Sequence, residues 1–196
     1  MHGKLIVLEG PDGAGTTLHC KLLAERLEKE GHTVLVTAEP TDGPIGTHIR
    51  DILRGRELLP ADALQLLFCA DRAWHIDRVI RPALQEGKIV IADRYTLSTV
   101  AYGAVQGLDA TWLQGINDAF VKPDCVILAL PPLNVALERL GRRPSHDIFE
   151  QRDVQEKLHD VYRKLASEDP GITVIDTSGS KVTVSNAVWE AMKHLL

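Results

Sequence analysis

The run Gly10-Pro11-Asp12-Gly13-Ala14-Gly15-Thr16-Thr17 is the part of this 196-residue sequence best suited to chemistry. A bare G-x4-G pair carries little weight, because 15 glycines in a chain of this length produce roughly one such pair by chance. Position gives it meaning, since the run follows an apolar segment and opens a helical pattern. A glycine-rich turn there lets successive N–H groups curve around a phosphate, while the helix dipole favours the anion. A merely tight turn between strand and helix is the competing reading. Thr17 stands where a hydroxyl that binds Mg²⁺ belongs. The preceding position, a lysine in G-x4-G-K-[ST] loops, is Thr16 here. That lysine spans the β- and γ-phosphates of a donor, so either another cation substitutes or turnover is low.

Three further groups stand out. Phe68 and Arg72, with His75 beyond them, are spaced by four and three, which puts a ring and a guanidinium on one helical face where they can grip a flat base. Taken alone, Phe68 reads as core and His75 as a surface or capping residue without a role. Asp93-Arg94-Tyr95, followed by Ser98, Thr99 and Tyr102, puts an acid and an arginine at the end of an apolar run, costly unless they meet a ligand or pair with each other. Arg139, Arg142 and Arg143, with Asp147, Phe149 and Glu150 after them, form either a solvated charged loop or arginines that close over transferring phosphates and exclude water.

The elements that must position these groups alternate along the chain. Apolar runs at Lys4–Leu8, Thr33–Thr37, Ile89–Ala92, Cys125–Leu130 and Ile172–Ile175 suit buried parallel strands. Helical patterns cover Thr17–Lys29, ended by Gly31, then Ile45–Leu53, Ala61–Gln85, Thr111–Ala119, Leu133–Leu140, Val154–Ser167 and Val184–Leu195. This rhythm specifies a doubly wound α/β fold, whose ligands lie beyond the carboxyl ends of the strands. One domain over residues 1–196 is expected, with a lid at about 141–151. A hydrophobic fraction of 44% and a charged fraction of 25% are those of an ordinary globular chain. A net charge of −5 provides no basic field for nucleic acid or anionic membrane. The longest apolar run is Cys125–Leu130 and only Leu5–Leu8 precedes Glu9, so neither a membrane helix nor a leader is expected, and a cytoplasmic location is. Cys20, Cys69 and Cys125 read as buried thiols.

Together these residues resemble the thymidylate kinase family of P-loop nucleoside monophosphate kinases over nearly the whole chain. The likeness includes Glu39-Pro40, Pro44-Ile45-Gly46, Ile49-Arg50, Leu66-Leu67-Phe68 with Ala70-Asp71-Arg72, Asp93-Arg94-Tyr95-x-x-Ser98-x-x-Ala101-Tyr102, and Asp147-x-Phe149-Glu150. The resemblance implies a three-layer fold with a five-stranded parallel sheet, a homodimer, and phosphorylation of dTMP to dTDP by ATP with Mg²⁺. It implies that Gly10, Gly13, Ala14, Gly15, Thr16, Thr17 and Arg139 bind the donor, and that Glu39, Pro40, Arg50, Phe68, Arg72, Arg94, Ser98, Thr99 and Tyr102 bind dTMP. Phe68 would stack on thymine, Arg72 donate to its O4, Arg50 and Arg94 hold the acceptor phosphate, and Tyr102 crowd the ribose 2′ position. Asp12, Asp93, Arg94, Arg142 and Arg143 would serve catalysis, and Thr17, Asp12 and Glu150 the metal. The sequence departs from the family at Thr16 and at Gly103, where glutamine is common after Ala-Tyr. A catalytically impaired nucleotide-binding protein, or a kinase for another monophosphate, therefore stays open.

Overall fold

The computed structural model describes residues 3–142 and 147–196. Five strands, β1 (Lys4–Glu9), β2 (Val34–Ala38), β3 (Ile89–Asp93), β4 (Cys125–Ala129) and β5 (Ile172–Ile175), form one parallel sheet in the order β2-β3-β1-β4-β5. All four pairings are parallel, with Leu8 of β1 opposite Asp93 of β3 and Glu9 opposite Leu128 of β4. Strands β1 and β3 are buried along their length or nearly so, as a run of consecutive apolar residues requires. The edge strands differ from the expectation of cover on both faces: Val36 of β2 and Val174 of β5 are exposed, because each edge has a sheet neighbour on one side only.

Helices pack on both faces. On one, Ile6, Leu8, Ile91 and Ile127 meet α1 (Thr16–Lys29) and α9 (Lys181–Met192). On the other, Leu5, Val7, Val90 and Ala92 meet Ile76, Ile80 and Ala83. A neighbouring cluster joins α2 (Pro44–Leu53), α3 (Ala61–His75), α5 (Thr96–Val105), α6 (Ala110–Asn117) and α8 (Arg152–Glu168) through residues such as Ile49, Leu64, Ala101, Leu113 and Leu158. Helix α7 (Leu133–Leu140) follows β4.

Two departures bear on the site. The single helix expected over Ala61–Gln85 runs over those residues, but as α3, a wide π turn at Ile76–Ile80, and α4 (Arg81–Gln85). Pro82 lacks an N–H and cannot complete an ordinary α-ladder, and the Arg81 N–H reaches Ile76 O instead. The sequence reading contains no helix at Thr96–Val105, where α5 forms from β-branched residues and Gly103. Tertiary burial of Val100, Ala101 and Tyr102 overrides their weak helical preference.

The chain leaves β1 for α1 and β2 on one side, and β4 and β5 lie on the other. The carboxyl end of β1 is therefore where the strand order reverses, the place where such sheets leave a crevice.

Candidate functional site

Two hollows open at that crevice. The first is walled by Pro11 to Leu18 and by Arg94. Gly13 (φ +78°) and Gly15 (φ +90°) take left-handed conformations, and a Cβ on Gly13 would come within 2.6 Å of Ala136 O. The loop is clasped from outside by its carbonyls. Arg94 donates to Gly10 O (2.7 Å), Arg139 to Gly13 O (3.2 Å) and Thr177 Oγ1 to Ala14 O (2.7 Å). Helix α1 begins at Thr16 without a side-chain cap on its Gly15 N-cap. Among the described residues, the N–H groups of Gly13, Gly15, Thr16 and Thr17 donate to no protein acceptor. Held carbonyls and unused N–H groups at a helix N-terminus make an anion cradle. Thr16 is buried, and Thr17 Oγ1 donates to Asp93 Oδ2 (2.5 Å), while Asp93 Oδ1 is buried without a partner.

The second hollow is lined by Glu39, Pro40, Phe68, Arg72, Arg94, Ser98, Thr99 and Tyr102, with Asp12, Asp147 and Phe149 at its wall. It brings together every residue assigned to the acceptor by sequence except Arg50. Phe68 is half-buried and Arg72 is 1% exposed. Arg72 Nη1 donates to Thr99 Oγ1 (3.1 Å) and Asn117 Oδ1 (2.5 Å), and Nη2 donates to Tyr95 O (2.8 Å) and is ion-paired to Glu39 (2.7 Å). The Nε–H alone is buried without a partner. Tyr102 and Phe149 meet edge to face, with centroids 5.0 Å apart.

Arg94 and Asp12 line both hollows. Arg94 does not pair with Asp93, as adjacency in sequence allowed. Its Nη2 is 2.7 Å from Asp12 Oδ1, while Asp12 Oδ2 accepts from Tyr102 Oη (2.7 Å) and Gln155 Nε2 (3.0 Å). Arg94 adopts φ +69°, a conformation that costs a non-glycine residue roughly 1–2 kcal/mol. Its neighbours over-determine it: Glu9, fully buried at the end of β1, accepts from Tyr95 N (2.9 Å), Ser98 N (3.2 Å) and Ser98 Oγ (2.5 Å). Glu9 thereby holds the start of α5. Burial pushes its carboxyl up, against the lowering effect of the Ser98 bonds and the Arg94 charge. The Asp147 carboxyl is pushed up to about 6, chiefly by burial and then by the charge of Asp12.

Several expected residues lie elsewhere. Arg50 donates to Thr41 O (2.6 Å) and Pro40 O (2.7 Å) and faces the cleft beyond that turn rather than the second hollow. Arg142 is exposed and paired with Glu138 (2.5 Å). Arg143 falls outside the described residues, as does most of the first half of the lid segment. Glu150 lines neither hollow. Gly103 faces Leu113 and Gln65 across the helix packing, where a Cβ would meet the Leu113 methyls at 2.7 Å. His75, read from sequence as a surface or capping residue, is fully buried, because its side of α3 packs against β2 and the Glu39 turn. The sequence reading gave no role to Glu9, Gln155, Thr177 or Asn117, although Glu9 and Thr177 lie in the stretches 9–17 and 176–180 that follow apolar runs, where ligands of such folds sit. A charge ending the apolar run of β1 was a further signal for Glu9; nothing local marked Gln155 or Asn117.

A family model described as thymidylate kinase matches residues 8–188. The chain is 39% identical to a probable thymidylate kinase of Pyrococcus horikoshii, over 100% of this chain and 98% of its relative. It is 40% identical to a probable thymidylate kinase of Thermococcus kodakarensis, over 97% of this chain and 98% of the relative. A thymidylate kinase of Afipia carboxidovorans is 39% identical, over 99% of this chain and 90% of the relative.

Proposed function

The chain belongs to the thymidylate kinase family and is accordingly a nucleoside monophosphate kinase; from that premise we propose that it moves the γ-phosphoryl group of ATP onto dTMP, yielding dTDP and ADP. The observation that carries this reading is Arg94, a single guanidinium walling both the anion cradle and the base pocket. A group placed so can neutralise charge between two phosphates that repel each other, which is most of what phosphoryl transfer asks of a protein. The acceptor phosphate has a second pKa near 6, so it arrives largely dianionic and needs no general base.

In this mechanism the N–H groups of Gly13, Gly15, Thr16 and Thr17 bind the donor's β- and γ-oxygens, with Arg139 and Thr177 keeping the loop carbonyls turned away. Phe68 stacks on the pyrimidine. Arg72, its Nη groups already engaged, offers Nε–H to the base O4, where cytosine would present a donor and be refused. Tyr102 crowds the ribose 2′ position, and its hydroxyl keeps Asp12 aligned with Arg94. The donor set fits Mg²⁺, which takes one or two protein oxygens and completes its shell with phosphates and water: Asp93 has one buried oxygen without a partner and holds the Thr17 hydroxyl with the other. Thr17 and Asp93 would hold the ion. When bound, it would supply positive charge to stabilise the transferring phosphoryl group. Asp12, already accepting from three side chains, is less suited to that task than the sequence suggested.

Arg142 and Arg143 belong to the proposal as lid arginines over the transferring group. The exposed Arg142–Glu138 pair, a type worth roughly 0–1 kcal/mol, does not hold Arg142 back. A homodimer working in the cytoplasm, where three free thiols stay reduced, completes the reading. ADP release with ATP, Mg²⁺ and a panel of monophosphates tests it, dTMP being expected to support the highest kcat/KM. Another monophosphate in first place would reassign the acceptor. Tight dTMP binding without dTDP, partly restored by Thr16→Lys, would mark a binding protein instead. Normal rates in Arg142→Ala, Arg143→Ala and the double variant would remove the lid arginines from the mechanism.

A further inference from the structure

One turn beyond Arg72 on α3, His75 has no part in the reaction described above, yet its ring is 0% exposed and engaged on both sides. Nε2 lies 2.6 Å from Thr37 Oγ1 on the edge strand β2, and Nδ1 lies 3.0 Å from Glu39 Oε1. The other Glu39 oxygen is 2.7 Å from Arg72 Nη2. A carboxylate only accepts, so Nδ1 carries the proton and Nε2 is left to accept the Thr37 hydroxyl. The result is a buried line, Thr37 to His75 to Glu39 to Arg72, that crosses from the β2 edge to the base pocket. Among the described residues, His75 is the side-chain donor to Glu39 Oε1; without it that oxygen is a buried acceptor without a partner, and the carboxylate is held through its Arg72 side alone.

We infer that His75 is a positioning residue: through Glu39 it sets the angle at which Arg72 presents its one unspent N–H to the pyrimidine. Two observations beyond the contacts support this. The Glu39 ion pair at Nη2 is the contact through which a turn of the carboxylate reaches the guanidinium, against the bonds to Thr99, Asn117 and Tyr95, and Nε–H is the donor left to report it. The helix also widens into its π turn at the residue after His75, a distortion that commonly marks a functional site. A rigid ring with nitrogens on opposite sides can reach both a strand and a turn; a packing residue of the same volume cannot.

The inference rests on the pocket being the dTMP site, and the test separates the two. The variants are His75→Leu, His75→Asn, whose amide nitrogen can stand near the place of Nδ1, and Thr37→Val. The readouts are KM and kcat for dTMP, the preference for dTMP over dCMP, the melting temperature, and the ¹H–¹⁵N resonance of Arg72 Nε in protein without nucleotide. His75→Leu should raise KM for dTMP at least tenfold and reduce the preference over dCMP. Its kcat at saturating dTMP should stay within threefold of wild type, with the Arg72 resonance shifted or lost. His75→Asn should recover most of the KM, and Thr37→Val should raise it two- to fivefold. An unmoved Arg72 resonance in His75→Leu, or a KM unchanged while the melting temperature falls, would make His75 packing alone. Should His75→Leu not fold, His75→Asn and Thr37→Val decide by the same readouts: a wild-type resonance and KM in Thr37→Val together with a tenfold KM loss in His75→Asn would overturn the line. A wild-type protein that does not phosphorylate dTMP would overturn the functional reading, while the resonance would still report whether His75 positions Arg72.

Discussion

In the proposed reading the two hollows solve the same problem, recognition of an anionic nucleotide, with opposite materials. The glycine-rich loop uses backbone: N–H groups at an uncapped helix start, with no lysine at position 16 and its carbonyls held from behind by Arg94, Arg139 and Thr177. The base pocket uses buried side chains locked to one another, with Arg72 ion-paired to Glu39 and Asp12 gripped by Arg94, Tyr102 and Gln155. Backbone amides read a phosphate and little else, so the loop suits a group common to all nucleoside triphosphates. A fixed guanidinium beside an aromatic ring reads the edge of one base, since a mismatched polar edge leaves a buried donor unpaired. On that reading, selectivity belongs to the hollow whose side chains are interlocked.

Substitutions can break or sharpen that contrast. The largest effect is expected where the hollows share a wall. Arg94→Ala should lower kcat by about three orders of magnitude, roughly 4 kcal/mol of transition-state stabilisation, in a steady-state assay. Equal losses in kcat/KM for ATP and dTMP would place it between the two. Next is the loop backbone. Gly13→Ala forces a side chain onto φ +78° and 2.6 Å from Ala136 O, so we expect about 3 kcal/mol of lost stability in urea unfolding and weakened ATP binding by calorimetry. Retained ATP affinity would show that the cradle does not depend on its backbone shape.

In the pocket, Arg72→Lys keeps the charge but not the planar fork that bonds Thr99, Asn117 and Tyr95. KM for dTMP should rise about thirtyfold, near 2 kcal/mol, with KM for ATP unchanged; parallel rises in both would erase the division of labour. The smallest effect concerns Asp147. Its folded carboxyl titrates at about 6, against an ordinary value near 3.8, so folding favours its protonated form. The native state loses stability from this group as pH rises from about 4 through 6. Asp147→Asn, which can still accept from Phe149 N–H, should therefore unfold later than wild type above pH 6, by of order 1 kcal/mol, and match it below pH 4. Thermal melts at pH 4, 6 and 8 check this, and a constant difference across the series would contradict the assignment.

Much of this was legible in one dimension. The five strands were readable as short runs of consecutive apolar residues bounded by turn residues, although the edge strands β2 and β5 are not covered on both faces, and the loop was readable because glycine spacing and a following helix start are local features. Phe68 and Arg72 shared a helical face by spacing alone. Helix α5 was not readable: Thr96, Thr99, Val100 and Gly103 disfavour a helix, and only Glu9 at its start together with burial of Val100, Ala101 and Tyr102 makes it form. Arg50 carried a family motif yet spends its donors on Pro40 and Thr41 carbonyls.

The order of apolar runs and turn residues settled the sheet and its parallel direction and singled out the turn proposed to hold a phosphate, because hydrophobic period and backbone conformation are properties of neighbours in the chain. Which charges meet was settled only in three dimensions. Asp12 finds Arg94 and Gln155, and Thr37 reaches Arg72 through His75 and Glu39, across separations that no local pattern records. Electrostatic pairing depends on distance and burial, and both come into being when the sheet closes its crevice.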